Sequence, residues 1–162
     1  MYRAQYVTSR AAIPGLSPSE AAPVWSTVGS PLADSVLLVR FSCPSCRQAI
    51  KRLLLAKRPF ALRLAPDRDS YHDAAALLFY RTDSLDIRRE LLMQMVQDDS
   101  YTTDALQNIE KKVAVMLSPV DRIEDKRRAD RLLFQRLHPY ALPTQLEIRN
   151  GQVHWAPQYS VL

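Results

Sequence analysis

The sequence predicts an α/β fold: a mixed central sheet flanked by helices, with an all-helical insertion between a βαβ half and a C-terminal β-hairpin. Three observations carry this prediction. A continuous apolar run at 36–39 leads into Cys43-Pro44-Ser45-Cys46, and from there Cys46, Ile50, Leu53 and Leu54 recur at helical spacing. A second run, Phe60-Ala61-Leu62-Arg63-Leu64, alternates so that Phe60, Leu62 and Leu64 share one face. Near the end, Asn150-Gly151 separates Leu146 and Ile148 from Val153 and Trp155. That dipeptide supplies the two positive φ angles of a tight hairpin turn.

Taken in order, residues 1–28 read as an N-terminal extension. Tyr6-Val7-Thr8 is a candidate edge strand, and Pro14, Pro18, Pro23 and Pro31 forbid long regular elements between them. The domain itself spans 29–162, with the helical insertion at about 70–138. The apolar run at 36–39 suits a central strand covered on both faces. Strand, helix and strand in succession, with Arg58-Pro59 as the break, predict a parallel βαβ unit. In the insertion, 74–79 is a short apolar helix. Ser84 caps a second helix that turns Ile87, Leu91 and Met95 inward. Thr102 or Thr103 caps a third, with Leu106, Ile109, Val113 and Met116 inward. Ser118-Pro119 opens a fourth, whose apolar residues are Ile123, Ala129, Leu133 and Leu137. The stretch 125–128 is polar all round and predicts a kink there. Met93, Met95 and Met116 fit core positions.

The chain has 162 residues, 47% of them hydrophobic, enough for a single domain with a proper core. No window has the apolar length of a membrane helix. The net charge is +5, but the basic residues are interspersed with acids, as at Asp121, Glu124 and Asp125 beside Lys126, Arg127 and Arg128. No stripe of basic and aromatic residues accompanies the charge, so no nucleic-acid partner is expected. No basic-then-apolar leader is visible. Either the protein is cytosolic or the numbering starts after a removed leader.

Cys43 and Cys46 are the only cysteines in the chain. The thiolate, not the thiol, attacks a disulfide. Cys43 at a helix N-cap would face unpaired backbone N–H groups and the positive end of the helix dipole, both of which favour the anion. Pro44 suits the first helical position, where its missing N–H costs nothing. Cys46 then falls within the first turn, near enough to close a small ring. Arg47 and Lys51 add positive charge. The pair reads as Cys43, the exposed nucleophile, and Cys46, the buried resolving thiol. Two other readings stay open. One is half of a zinc site, which would need further ligands from His72, His138 or His154. The other is a local structural disulfide, whose short loop contributes little chain-entropy stabilisation.

The chain resembles the thioredoxin-fold, DsbA-like class of thiol–disulfide oxidoreductases over roughly 29–155. The residues that carry the resemblance are Gly29-x-Pro31-x-Ala33 before the first strand, Cys43-Pro44-Ser45-Cys46, the helical block, and Pro143 between Leu142 and Thr144 at the start of a strand. The resemblance implies a cis-proline at Pro143 beside the cysteines, with Leu142, Pro143 and Thr144 receiving the substrate and Pro44 and Ser45 tuning the pair. It implies protein substrates that carry cysteines or disulfides, a redox partner that recycles the pair, no cofactor, no metal, and a periplasmic location. Oxidase and reductase directions share these residues.

Three departures stand out. The dipeptide is Pro-Ser where the strong oxidants have Pro-His. Leu37 occupies the place, six residues before Cys43, where the class often buries an acid. Only residues 156–162 follow the hairpin, too few for the usual closing helix, which predicts an uncovered sheet face. These departures motivate the alternative function: a non-catalytic thioredoxin-scaffold interaction module within a larger assembly.

Overall fold

The computed structural model describes residues 12–97, 104, 107, 108, 110, 111 and 122–156. Five strands form one sheet: β1 (Thr27–Val28), β2 (Ser35–Val39), β3 (Phe60–Leu64), β4 (Thr144–Arg149) and β5 (Gln152–Trp155), in the order β1-β3-β2-β4-β5. The β2 and β3 strands run parallel and are joined through helix α2 (Pro44–Leu55); the other pairings are antiparallel. A short helix, α1 (Pro18–Ala21), precedes the sheet, and α3 (Ser70–Arg81), α4 (Leu85–Gln97) and α5 (Ile123–Leu137) lie between β3 and β4. The predicted class, a mixed sheet with helices inserted before a closing hairpin, is the architecture observed. Asn150 and Gly151 form the hairpin turn with φ of 52° and 73°. The edge strand expected at Tyr6-Val7-Thr8 lies outside the described residues.

Alternation along the strands divides the core in two. Leu37, Val39, Phe60, Leu62 and Leu64 face α2, α3 and α4, where they meet Ile50, Leu54, Phe79, Leu91 and Leu92. Each of these five helical side chains is fully buried, which is worth about 1.5–3 kcal/mol apiece relative to exposure. Val36, Leu38, Ala61, Leu146 and Val153 face the other way. The short tail predicts that this second face is bare. It is covered instead by Leu16 and Ala21 from the N-terminal segment and by Leu133 and Leu137 of α5. Ser17 caps α1 through a full capping box with Glu20, and Pro18 takes the first position. This Ser-Pro-x-Glu arrangement places a helical turn where the prolines predict irregular chain.

The helices of the insertion also depart from expectation. The α3 helix begins at Ser70 rather than 74, because Asp69 accepts the His72 backbone N–H at 3.0 Å and caps an extra turn. The Ser84 hydroxyl accepts the Ile87 N–H at 3.4 Å at the start of α4, and Leu91 and Met95 are buried. The third expected helix falls mostly outside the described residues, as does the start at Ser118-Pro119. The α5 helix runs unbroken through 125–128, where a kink is predicted. Its inward stripe is Ile123, Lys126, Asp130, Leu133 and Leu137, so two charged residues occupy the core side.

Those two charges have partners. The Asp130 carboxylate accepts hydrogen bonds from Arg63 Nε, from the Tyr80 hydroxyl at 2.6 Å and from the Leu64 backbone N–H at 3.1 Å. Arg63 also donates to the Glu20 and Ala21 carbonyls at 2.7 and 3.0 Å, and stacks over Trp25. Lys126 donates to the Tyr80 carbonyl at 2.6 Å. Burial therefore goes with pairing, as a low-dielectric interior requires. Because β1 pairs only with Phe60 and Ala61, the edge of β3 beyond them is open, and Asp130 occupies its Leu64 N–H.

Candidate active site

The segment 40–43 turns sharply from the end of β2 into α2. The Cys43 N–H donates to the Arg40 carbonyl at 3.1 Å. Three side chains pin this turn. Arg40 Nε donates to the Pro66 carbonyl at 2.9 Å, Asp67 accepts the Ser42 N–H at 3.2 Å, and Arg47 donates to the Phe41 carbonyl at 2.7 Å. The loop after β3 thus braces the loop after β2, both at the carboxyl ends of the parallel pair.

Cys43 is the N-cap of α2, and its sulfur accepts the Cys46 backbone N–H at 3.4 Å. Pro44 fills the first helical position and Ser45 follows, both exposed. The Ser45 hydroxyl lies 3.2 Å from the Cys43 sulfur. Cys43 is half-buried, Cys46 fully buried, and both are free thiols. Partial burial pushes the Cys43 thiol up. Hydrogen bonds from the Cys46 thiol, the Ser45 hydroxyl and the backbone N–H groups of Cys46 and Ser45 outweigh that and hold it below the ordinary range. Cys46 goes the other way: burial, then its contact with Cys43, pushes it up to about 12. Arg47 is turned onto the Phe41 carbonyl, and Lys51 is exposed.

One expectation follows from this asymmetry. Iodoacetamide modifies Cys43 and spares Cys46 in the folded protein, with a rate that rises through a pH below about 8.5, the free-cysteine value. Ser45→Ala moves that midpoint upward. A wild-type midpoint at or above that of free cysteine would contradict the geometry.

The Leu142–Pro143 peptide bond is cis. Thr144 begins β4 opposite Leu38 of β2, so Pro143 lies at the edge of the sheet where β2 ends and the cysteine turn begins. Leu142 is half-buried and packs, with Cys43, against the core on the α2 side. Pro143 and Thr144 are buried, and the Thr144 hydroxyl donates to the Ala141 carbonyl, closing the turn. The topology therefore brings Cys43, Pro44, Ser45 and Cys46 to one end of the sheet together with Leu142, Pro143 and Thr144. Arg40 and Asp67 escaped sequence reasoning. The signal for them was positional: polar residues just beyond the carboxyl ends of two parallel strands line the crevice of an α/β sheet. Among the described residues no set of three or more His, Cys, Asp and Glu side chains gathers to hold a metal ion, and no helix is long and apolar enough to cross a membrane.

The geometry has clear counterparts among solved structures. A thioredoxin-like oxidoreductase from Silicibacter pomeroyi superposes with a TM-score of 0.62 at 15% identity, over 88% of this chain and 92% of that one. A periplasmic thioredoxin-like protein from Salmonella enterica serovar Typhimurium gives 0.58 at 15% identity, covering 93% of each chain. The oxidoreductase DsbA from Xylella fastidiosa gives 0.51 at 17% identity, over 86% of this chain and 83% of that one. The protein has a thioredoxin-like fold. No protein-family model matches the sequence, and no curated protein is detectably similar to it.

Proposed function

We propose that the protein is a DsbA-like thiol–disulfide oxidoreductase that acts on protein thiols through Cys43-Pro44-Ser45-Cys46. The observation that carries this reading is the division between the two sulfurs. One is half-exposed at a helix N-terminus, with its thiol held below the ordinary range. The other, within the same turn, is buried and held as a thiol. A nucleophile and a resolving group need that difference.

In the reducing direction the Cys43 thiolate attacks one sulfur of a substrate disulfide. An S–S bond to Cys43 forms, and the other substrate sulfur leaves with the electron pair. Cys46 then attacks the Cys43 sulfur, closes the intramolecular disulfide and releases the remaining substrate thiolate. Oxidation of a dithiol is the reverse sequence. The exchange moves electrons between sulfurs alone and calls for no cofactor. A second redox protein must return the pair to its starting state. Pro44 holds the helix start and Ser45 donates to the thiolate. Ser45 carries no charge, so the pair is less oxidising than those with a histidine there. In this reading the Leu142 backbone, beside the cysteine turn, pairs with an extended substrate strand. The likeness to a periplasmic thioredoxin-like protein supports a site of action outside the cytoplasm.

The test is catalysed reduction of insulin by dithiothreitol, with reoxidation of a reduced, unfolded substrate beside it. Wild-type protein is expected to accelerate at least one of them. Rates indistinguishable from buffer in both would leave the scaffold as an interaction module.

A further inference from the structure

Acids and bases are interspersed over most of the chain, but not between Asp34 and Asp67. That stretch holds no acidic residue, yet it carries Arg40, Arg47, Lys51, Arg52, Lys57 and Arg58 besides the buried Arg63. Its positive charge exceeds the +5 of the whole chain, so the remainder of the protein is slightly acidic. The same stretch contains β2, α2 and β3, and with them both cysteines.

Much of that charge gathers on one surface. The exposed side chains of α2 are Pro44, Ser45, Gln48, Lys51, Arg52 and Leu55. At helical spacing they fall on one stripe. It begins at the dipeptide between the cysteines and runs on to Lys57 and Arg58, both exposed just past the helix. Lys51, Arg52, Lys57 and Arg58 make no ion pair and no side-chain hydrogen bond among the described residues. The α4 helix adds charge of the same sign at this end, where Arg89 donates to the Leu54 carbonyl at 3.0 Å. The α4 acids Asp86 and Glu90 form no ion pair with these cations. Gathering unpaired cations does nothing for the fold and costs self-repulsion.

We infer that this stripe is a docking surface for acidic segments of the proteins whose sulfurs Cys43 attacks. The inference rests on the proposed exchange activity and names its substrate class. The occupant follows from the chemistry of the stripe. Its one large apolar side chain is Leu55, 63% exposed, whereas Ile50 and Leu54 are buried in the core. A helix that lies on a membrane needs a broad apolar face, and this one has turned its own inward. No aromatic ring stands on the stripe for a base to stack on. Solvated ammonium and guanidinium groups suit carboxylates on an extended chain, which they attract from a distance and hold loosely. The helix rises about 1.5 Å per residue, so Arg52 lies about 13 Å along the axis from Cys43. An extended chain covers that distance in about four residues.

Three peptides with one central cysteine test the inference, identical except for Glu, Gln or Lys about four residues away on each side. Each carries its cysteine as a mixed disulfide with thionitrobenzoate. The Cys43 thiolate attacks the peptide sulfur, an S–S bond to Cys43 forms, and thionitrobenzoate leaves with the electron pair and is read by its colour. Dividing each rate by that of 2-mercaptoethanol removes the reactivity of the peptide itself. In about 0.01 M salt, where charges act over about 30 Å, the Glu peptide is expected to react about tenfold faster than the Gln peptide, and the Lys peptide slower than either. Near 1 M salt the screening length falls to about 3 Å and the three rates converge. Arg52→Glu/Lys57→Glu cancels the charge of Lys51 and Arg58 and abolishes the preference, while the Gln peptide keeps its wild-type rate. Arg52→Gln/Lys57→Gln retains part of the preference. Equal wild-type rates for the Glu and Gln peptides, or a preference that survives charge reversal, overturn the inference. Equal slowing of all three peptides by the reversal also overturns it, because the cations would then only hold the helix. Co-sedimentation with vesicles of phosphatidylglycerol and phosphatidylcholine in equal parts, with Glu and Gln peptides reacting alike, would assign the stripe to a lipid surface instead. A Gln peptide that reacts with the protein no faster than with 2-mercaptoethanol refutes the exchange activity itself, a separate result.

Discussion

Cys43→Ser brings insulin reduction down to the rate of the buffer blank, whereas Cys46→Ala keeps the first attack and stalls there. The two outcomes follow from the unequal environments of the sulfurs. Without Cys43 the remaining thiol is buried and held protonated, up to about 12, so it neither meets a substrate nor supplies a thiolate near neutral pH. Without Cys46 the Cys43 thiolate still attacks, but the mixed disulfide finds no neighbour to resolve it. A substrate peptide then remains attached to Cys43, visible by mass spectrometry and released by reductant. Full turnover by Cys43→Ser would remove the proposed nucleophile. A Cys46→Ala protein that turns over without accumulating adduct would show that resolution comes from elsewhere.

Asp130→Ala costs about 3–5 kcal/mol of folding stability, the usual consequence of leaving one member of a buried ion pair alone. Burial pushes the Asp130 carboxyl above the usual carboxylate range, against the pull of the Arg63 guanidinium and hydrogen bonds from Tyr80, Arg63 and Leu64. Removing it strands the Arg63 guanidinium, a buried tyrosine hydroxyl and a strand-edge N–H at once. The double variant Arg63→Met/Asp130→Leu removes both charges and keeps most of the volume, so it loses less than Asp130→Ala. Urea denaturation reads the difference as a lower midpoint at unchanged slope. An Asp130→Ala protein within 1 kcal/mol of wild type, on the order of a surface substitution, would mean that the network does not stabilise the fold.

The parts of this fold that could be read from the chain are those in which local pattern and final environment agree. Val36, Leu37, Leu38 and Val39 are all buried, as an unbroken apolar run implies. Phe60, Leu62 and Leu64 share a face, and Asn150-Gly151 turns where its φ preferences allow little else. Local pattern misleads where a polar residue is buried against a distant partner. Lys126 looks like part of a solvated helix face and Asp130 shows no pattern of its own, yet their partners are Tyr80 and Arg63, far away in sequence. No periodicity argument sees across that separation. The Thr27–Val28 strand is too short to show alternation and exists because Phe60 and Ala61 offer it an edge. At the site, the cysteine spacing and the proline before β4 were visible in the sequence. The bracing of the turn by Pro66 and Asp67 was not, because it depends on two loops meeting at one end of a sheet.

The cover over the second face joins segments that lie far apart in the sequence. Ala12 bridges to His154, the Ile13 N–H donates to the Val153 carbonyl at 2.8 Å, and Arg136 donates to the Pro14 carbonyl at 2.9 Å. Leu16 and Ala21 have no completed surface to rest on until α5 and the hairpin have left the ribosome. Contacts of such large sequence separation slow folding. A nascent chain stopped before β4 would hold its opening segment unpartnered, with the apolar underside of β2 and β3 turned to water. The fold is therefore complete only once β5 has been made, and the interval before that is when it most needs protection from aggregation.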